Sequence, residues 1–147
     1  MNYEIVNLNE KTIVGVSTTT SNDDPKMGEK IGKLWMDLYQ GGVNAKIKNK
    51  VNEYAIGLYS DYTEKDYVVT VGNEVSKSEN SALTTKIIPA GKYAKFSLRG
   101  HMQKVVAETW GEIWQMDLDR SFTGDFEEYL NSDVENSEIN IYIALKE

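Results

Sequence analysis

The 147-residue chain contains no cysteine, which removes disulfides, thiolate metal sites and a cysteine nucleophile at once. Its one histidine, His101, is too little for a histidine-based metal site, and a Ser-His-Asp triad would rest its whole base function there. His101 stands between Gly100 and Met102 at an expected helix start, where a capping or surface role is the ordinary one. Positive charge is also short. Sixteen Lys and Arg against 23 Asp and Glu leave a net charge of −7, the opposite of what phosphate neutralisation requires, so direct nucleic-acid binding is not expected. No apolar run reaches the length needed to span a bilayer. Met1-Asn2-Tyr3-Glu4-Ile5 has neither the basic nor the apolar segment of a secretory leader, so the expectation is a cytoplasmic protein without membrane contact. There is no Gly-x-x-x-x-Gly-Lys phosphate loop and no Gly-x-Gly-x-x-Gly after a strand, so no cofactor is expected and no metal.

Aromatic residues, by contrast, are plentiful: nine Tyr, three Trp and three Phe. A chain of this length reads as one compact domain, 1–147. It also reads as a repeat, with halves at about 1–75 and 82–147 and the stretch Gly72 to Ser81 as the boundary between them. Ile13-Val14-Gly15-Val16 leads to a helical stripe of Ile31, Leu34, Trp35, Leu38 and Tyr39; Tyr93-Ala94-Lys95-Phe96 leads to Val106, Thr109, Trp110, Ile113 and Trp114. The two stripes have the same internal spacing, with Trp35 and Trp110 75 residues apart. Residues 66–75 and 138–147 match at a spacing of 72. Helices are expected at Met27 to Tyr39, stopped by Gly41-Gly42, and at Met102 to Met116. Residues 2–8 and 11–19 read as a strand pair or one bent strand, Tyr54 to Tyr62 and Asp66 to Val75 as a hairpin, and 125–131 and 138–145 as the last strands. The predicted architecture is α+β: a tandem β-α-β-β repeat with pseudo-two-fold symmetry, an antiparallel sheet with two helices on one face, and a ligand groove between the halves.

The sharpest chemical signal is Asp125-Phe126-Glu127-Glu128-Tyr129. Alternation puts Glu127 and Tyr129 on one face of an extended segment and Phe126 and Glu128 on the other. In the last strand Ile139, Ile141, Ile143 and Leu145 share the face expected against the helices, leaving Asn140, Tyr142 and Ala144 on the other. Glu127 is expected to project toward Tyr142, among rings that could hold a cation by charge and ring faces together. An exposed acid of no special role is the alternative. Trp35 and Trp110 read as core residues, with an indole edging a pocket as the alternative. Tyr54, Tyr59, Tyr62, Tyr67 and Tyr93 read, with Tyr129 and Tyr142, as a wall of amphipathic rings.

In order and spacing, several fragments of the chain resemble the GyrI-like, or AraC effector-binding, domain family. They are Ile31-Gly32-Lys33-Leu34-Trp35, Tyr54 to Tyr59, Tyr67 to Val75, Ile88 to Phe96, Val106 to Trp114, Asp125 to Tyr129 and Glu138 to Ile143. The resemblance implies a small-molecule groove between two repeats and a buried glutamate, at Glu127, that pairs with cationic, often aromatic compounds. The remaining candidates for ligand contact are Tyr142, Asn140, Tyr59, Tyr93 and Trp110. Relatives often end Glu-x-Tyr-x-Pro; here Asn140 and Ala144 replace the acid and the proline, which favours a neutral or singly charged ligand. No helix-turn-helix precedes the first strand, so a stand-alone sensor or sequestering protein is expected, monomer or homodimer. The alternatives are a small hydrolase of electrophilic compounds with Glu127 as general base, or a protein that binds DNA gyrase.

Overall fold

The computed structural model describes residues 2–77 and 82–147. Its strands are β1 (Glu4–Leu8), β2 (Lys11–Thr20), β3 (Ala55–Ser60), β4 (Tyr67–Val75), β5 (Thr84–Ile88), β6 (Gly91–Gly100), β7 (Asp125–Tyr129) and β8 (Ser137–Ala144). Its helices are α1 (Met27–Tyr39), the single turn α2 (Val43–Lys46) and α3 (Met102–Gln115). All eight strands form one antiparallel sheet in the order β1-β6-β8-β7-β3-β4-β2-β5. The architecture is the α+β arrangement expected.

The strand order is symmetric about the β7–β3 seam, and the ladder registers fix the equivalences. Gly57 pairs with Glu127 across the seam, and each pairs outward with an equivalent residue, Val71 and Ile141. Val14 pairs with Asn73, and its counterpart Ala94 with Ile143. The seam strands and β4 and β8 therefore repeat every 70 residues, not 72 as the sequence match suggests, and β2 and β6 repeat every 80. The leading strands are exchanged. β1 does not pair with β2 but extends the second half beside β6, while β5 extends the first half beside β2. Gly72–Val75, taken from sequence as the start of a linker, complete β4, and residues 78–81 of that stretch lie outside the described residues.

Local chemistry sets the ends of the helices. Asp24 accepts the backbone N–H of Lys26 (2.8 Å) and the Lys30 ammonium (2.7 Å), which holds its carboxyl down at about 2 and shapes the turn into α1. Gly42, at φ 79°, supplies the left-handed residue beyond the helix end. Leu34 and Leu38 of α1 pack on Val14, Val69 and Val71, while Ile113 of α3 packs on Phe96, Ile139 and Ile141. Both helices thus lie on one sheet face.

The other face is not open. Ile13, Ile56, Leu58, Ile88, Tyr93, Phe126 and Tyr142 form a third apolar cluster there, joined by Val6 and Leu8 from the far edge. Strands from the two ends of the sheet meet in this cluster, so the sheet curls round it. That explains why the C-terminal part of β8 lacks a polar face: Tyr142 and Ala144, opposite its isoleucines, are also core.

Candidate functional site

The seam between the two halves runs under α1 and α3, and Glu127 lies on it, 3% exposed, on the helix-facing side of β7. Glycine stands opposite it for a steric reason. A Cβ at Gly57 would come within 3.3 Å of Glu127 Oε1 and 3.4 Å of the Trp35 ring. Three neutral donors satisfy the carboxylate. Tyr129 donates to Oε1 (2.6 Å), while the Trp110 indole N–H (2.7 Å) and the Tyr59 hydroxyl (3.2 Å) donate to Oε2. Among the described residues no lysine, arginine or histidine forms an ion pair with it. Burial raises its pKa above the ordinary value near 4.5, and the bonds from Tyr129, Trp110 and Tyr59 oppose that rise only in part. Desolvation, followed by the neighbouring Glu127 charge, likewise lifts the Tyr59 and Tyr129 hydroxyls well above their usual range.

The surrounding rings follow the same symmetry. Trp35 of the first half meets Tyr129 of the second edge-on (5.1 Å, 78°), and Trp110 of the second meets Tyr59 of the first (5.5 Å, 71°). Each tryptophan also carries an outer ring one helical turn on: Tyr39 at 6.1 Å from Trp35, Trp114 at 6.3 Å from Trp110. Tyr39 and Trp114 are 61% and 62% exposed, so the cleft has an aromatic lip on each helix. A cavity of about 630 Å³ opens on the Trp110 side. Tyr59, Tyr62, Tyr67, Trp110 and Trp114 line it, with Met27 and Ile31 from α1 and Arg120 and Phe122 from the loop before β7. The two donors to Oε2 are therefore cavity-wall residues.

Two candidates from the sequence, Tyr59 and Trp110, are brought to Glu127. Three others, Tyr142, Asn140 and Tyr93, are not, and the expected Glu127–Tyr142 contact does not form. Glu127 pairs in the ladder with Ile141, so it shares the isoleucine face, whereas Tyr142 pairs with Phe126 and stacks on it at 4.5 Å. Tyr142 and Asn140 approach Glu128 instead (3.5 and 3.2 Å), and Tyr93 is sealed in the far cluster with its hydroxyl on the Pro89 carbonyl (2.6 Å). Tyr54 lies apart at the surface, so the wall of rings divides between the two faces of the sheet. His101 makes no capping bond; its Nε2 is 3.8 Å from Glu135. Arg120 is part of the cavity wall, with Asp125 buried behind it, and no spacing signal marks either. Trp35 is the counterpart of Trp110 in the sequence repeat, but Gly57 becomes the counterpart of Glu127 only at the spacing of 70 that the ladder sets.

Two halves wrapped about a shared aromatic cleft define the class of effector-binding folds. The chain belongs to the integron-associated effector-binding protein family (Cass2), whose model matches residues 4–145. It is 34% identical over 154 residues, covering 97% of this chain and 96% of the relative, to YobU of Bacillus subtilis (strain 168), named as a candidate transcriptional regulator. Among solved structures, an integron cassette protein from the mobile metagenome of Vibrio cholerae superposes with a TM-score of 0.79 at 26% identity, covering 98% and 95% of the two chains. SAV2435, solved bound to tetraphenylphosphonium, has the same fold, with a TM-score of 0.83 at 21% identity and coverage of 99% and 94%. No helix among the described residues is long and apolar enough to cross a membrane.

Proposed function

We propose that the protein binds lipophilic aromatic cations of single positive charge in the cleft between its halves, as a sensing or sequestering effector-binding domain spanning the whole chain. One observation carries this reading: Glu127 is a buried carboxylate held by three neutral donors, with no cation paired to it among the described residues. A buried charge without a counter-ion is costly, and a structure that keeps one gains when a cation arrives. The ligand's rings would stack on Trp110, Tyr59 and Trp114, and its charge would act on Glu127 through a low-dielectric wall where attraction is little screened. The cavity of about 630 Å³ suits a drug-sized compound. The tetraphenylphosphonium bound by SAV2435 belongs to this chemical class. Tyr59 and Tyr129 hold their protons tightly, so as proton donors they lend little support to chemistry at Glu127.

The test is a tryptophan-fluorescence titration with tetraphenylphosphonium, with tetraphenylborate as the anion of like shape. The cation should bind and the anion should not. Glu127→Gln should weaken cation binding about ten-fold or more. Equal binding of both ions, or unchanged affinity in the variant, would remove Glu127 from the site.

A further inference from the structure

Strand β7 carries two buried carboxylates on its helix-facing side, and only one of them lacks a cation. Asp125, 0% exposed, lies two residues before Glu127, roughly 7 Å along the strand. Its Oδ2 accepts Arg120 Nη2 (2.6 Å) and the Tyr62 hydroxyl (2.6 Å), and its Oδ1 accepts the Ala144 N–H (2.9 Å). Arg120 is itself held in place. Its backbone bridges to Leu145, Ser121 donates to the Ala144 carbonyl (3.0 Å), and the Phe122 ring lies 4.3 Å from the guanidinium carbon. Phe122 takes a left-handed φ of 56° to reach that position, a conformation that a non-glycine residue adopts at some cost. Arg120 is 15% exposed on its side chain, its buried Nε has no partner among the described residues, and it lines the same cavity as Tyr59 and Trp110.

We propose that Arg120 is a built-in cation that neutralises Asp125 and so sets the charge number of the ligand at one. This rests on the reading of Glu127 as the acid that receives the ligand's charge. With Arg120 in the wall, a second positive charge on a ligand seated against Glu127 meets a like charge and no second unpaired buried carboxylate; Asp23, Glu64 and Asp66, the acids on the cavity rim, are exposed and screened by water. Without Arg120, Asp125 and Glu127 together present two negative charges spaced for a rigid dication. Arg120 is thus a specificity-determining residue, and the segment 118–122 that holds it is part of the recognition apparatus.

The experiment compares tetraphenylphosphonium with benzyl viologen, an aromatic dication, on the full chain by calorimetry. The wild type should prefer the monocation. Arg120→Met should raise the dication-to-monocation affinity ratio at least about ten-fold, and Arg120→Lys should restore the wild-type ratio, because it restores the charge. Asp125→Asn, which keeps Arg120 and leaves its charge unbalanced, should weaken both ligands and the dication more. An unchanged ratio in folded Arg120→Met would overturn the proposal. Should that variant fail to fold, equal loss of both ligands in Asp125→Asn would do the same. Failure of the wild type to bind tetraphenylphosphonium, or indifference to Glu127→Gln, would refute the reading of the site and the proposal with it. A ratio that shifts only for Glu127 variants would refute the role of Arg120 alone.

Discussion

Replacing Glu127 by glutamine should leave the unliganded protein as stable as before or more so at neutral pH, and the effect should depend on pH. Each hydrogen bond to the ionised carboxylate is worth about 1.5–3 kcal/mol, but desolvating the ion costs several kcal/mol. The raised pKa says that the charged form is the disfavoured one in the folded state. Glutamine keeps an acceptor oxygen for Trp110 and Tyr59, and its amide N–H can donate to the Tyr129 oxygen, so the cage stays satisfied. A gain in stability at pH 7 follows, read as a higher Tm, with each 1 kcal/mol worth about 2–4 °C for a chain of this size. Because the folded value lies above the ordinary 4.5, the native state binds this proton more tightly than the unfolded chain does. The wild type therefore suffers no penalty from Glu127 below that pH, loses stability as pH rises through the folded value, and levels off above it. Thermal melts of both proteins without ligand from pH 4 to 8 measure the gap, which should open with rising pH. A variant that is less stable at pH 7, with the gap closing toward acid, would refute the reasoning, since that is the behaviour of a carboxylate whose pKa is lowered by folding. Cation affinity should show the reciprocal trend in the wild type, falling as pH drops through the same value, with proton release on binding.

Tyr142→Ala should cost about 3–5 kcal/mol in denaturant unfolding yet leave tetraphenylphosphonium affinity unchanged, because its ring stacks on Phe126 in the far core. A loss of affinity with no loss of stability would return Tyr142 to the site. Gly57→Ala should leave stability within about 1 kcal/mol, since the entropy recovered on removing a strand glycine offsets the crowding. The new methyl group presses on Glu127 Oε1 and Trp35, however, so cation affinity should fall roughly five-fold by titration. Unaltered affinity would mean that the position of the carboxylate is not critical.

Much of the fold was legible because it is written in local periodicity. The apolar stripe from Met27 to Tyr39 matches α1 end to end, and the turn at Thr63 closes a real hairpin, with Thr63 N–H on the Asp66 carbonyl at 2.8 Å. The exchange of β1 and β5 was not legible. Their pairing partners lie 69 to 91 residues away in the chain, and nothing in Glu4–Leu8 itself chooses β6 over β2. The site divided along the same line. Alternation correctly placed Glu127 with Tyr129 and against Phe126. It could not fix the register between β7 and β8, and a slip of one residue exchanges every facing neighbour. The β8 isoleucines are core, as expected, but the opposite face, expected to line a pocket, is core at Tyr142 as well. With both sheet faces buried, the acid had to share the isoleucine side.

The pseudo-symmetry accounts for why the pair at the seam, residues 57 and 127, holds one acid and not two. Residues 57 and 127 are equivalent and in register at the seam, so a glutamate at both would put two carboxylates in the same small space with the same neutral donors. Each would lose a share of the donors and repel the other, and one would take up a proton instead of a ligand. Breaking the symmetry at this pair gives Glu127 the room left by Gly57 and the donors of both halves, Tyr59 from one and Tyr129 and Trp110 from the other. The aromatic pairs need no such break, because neutral rings on both sides of a cation add their attraction. Duplication thus supplies the walls, and the Gly57–Glu127 asymmetry supplies the charge.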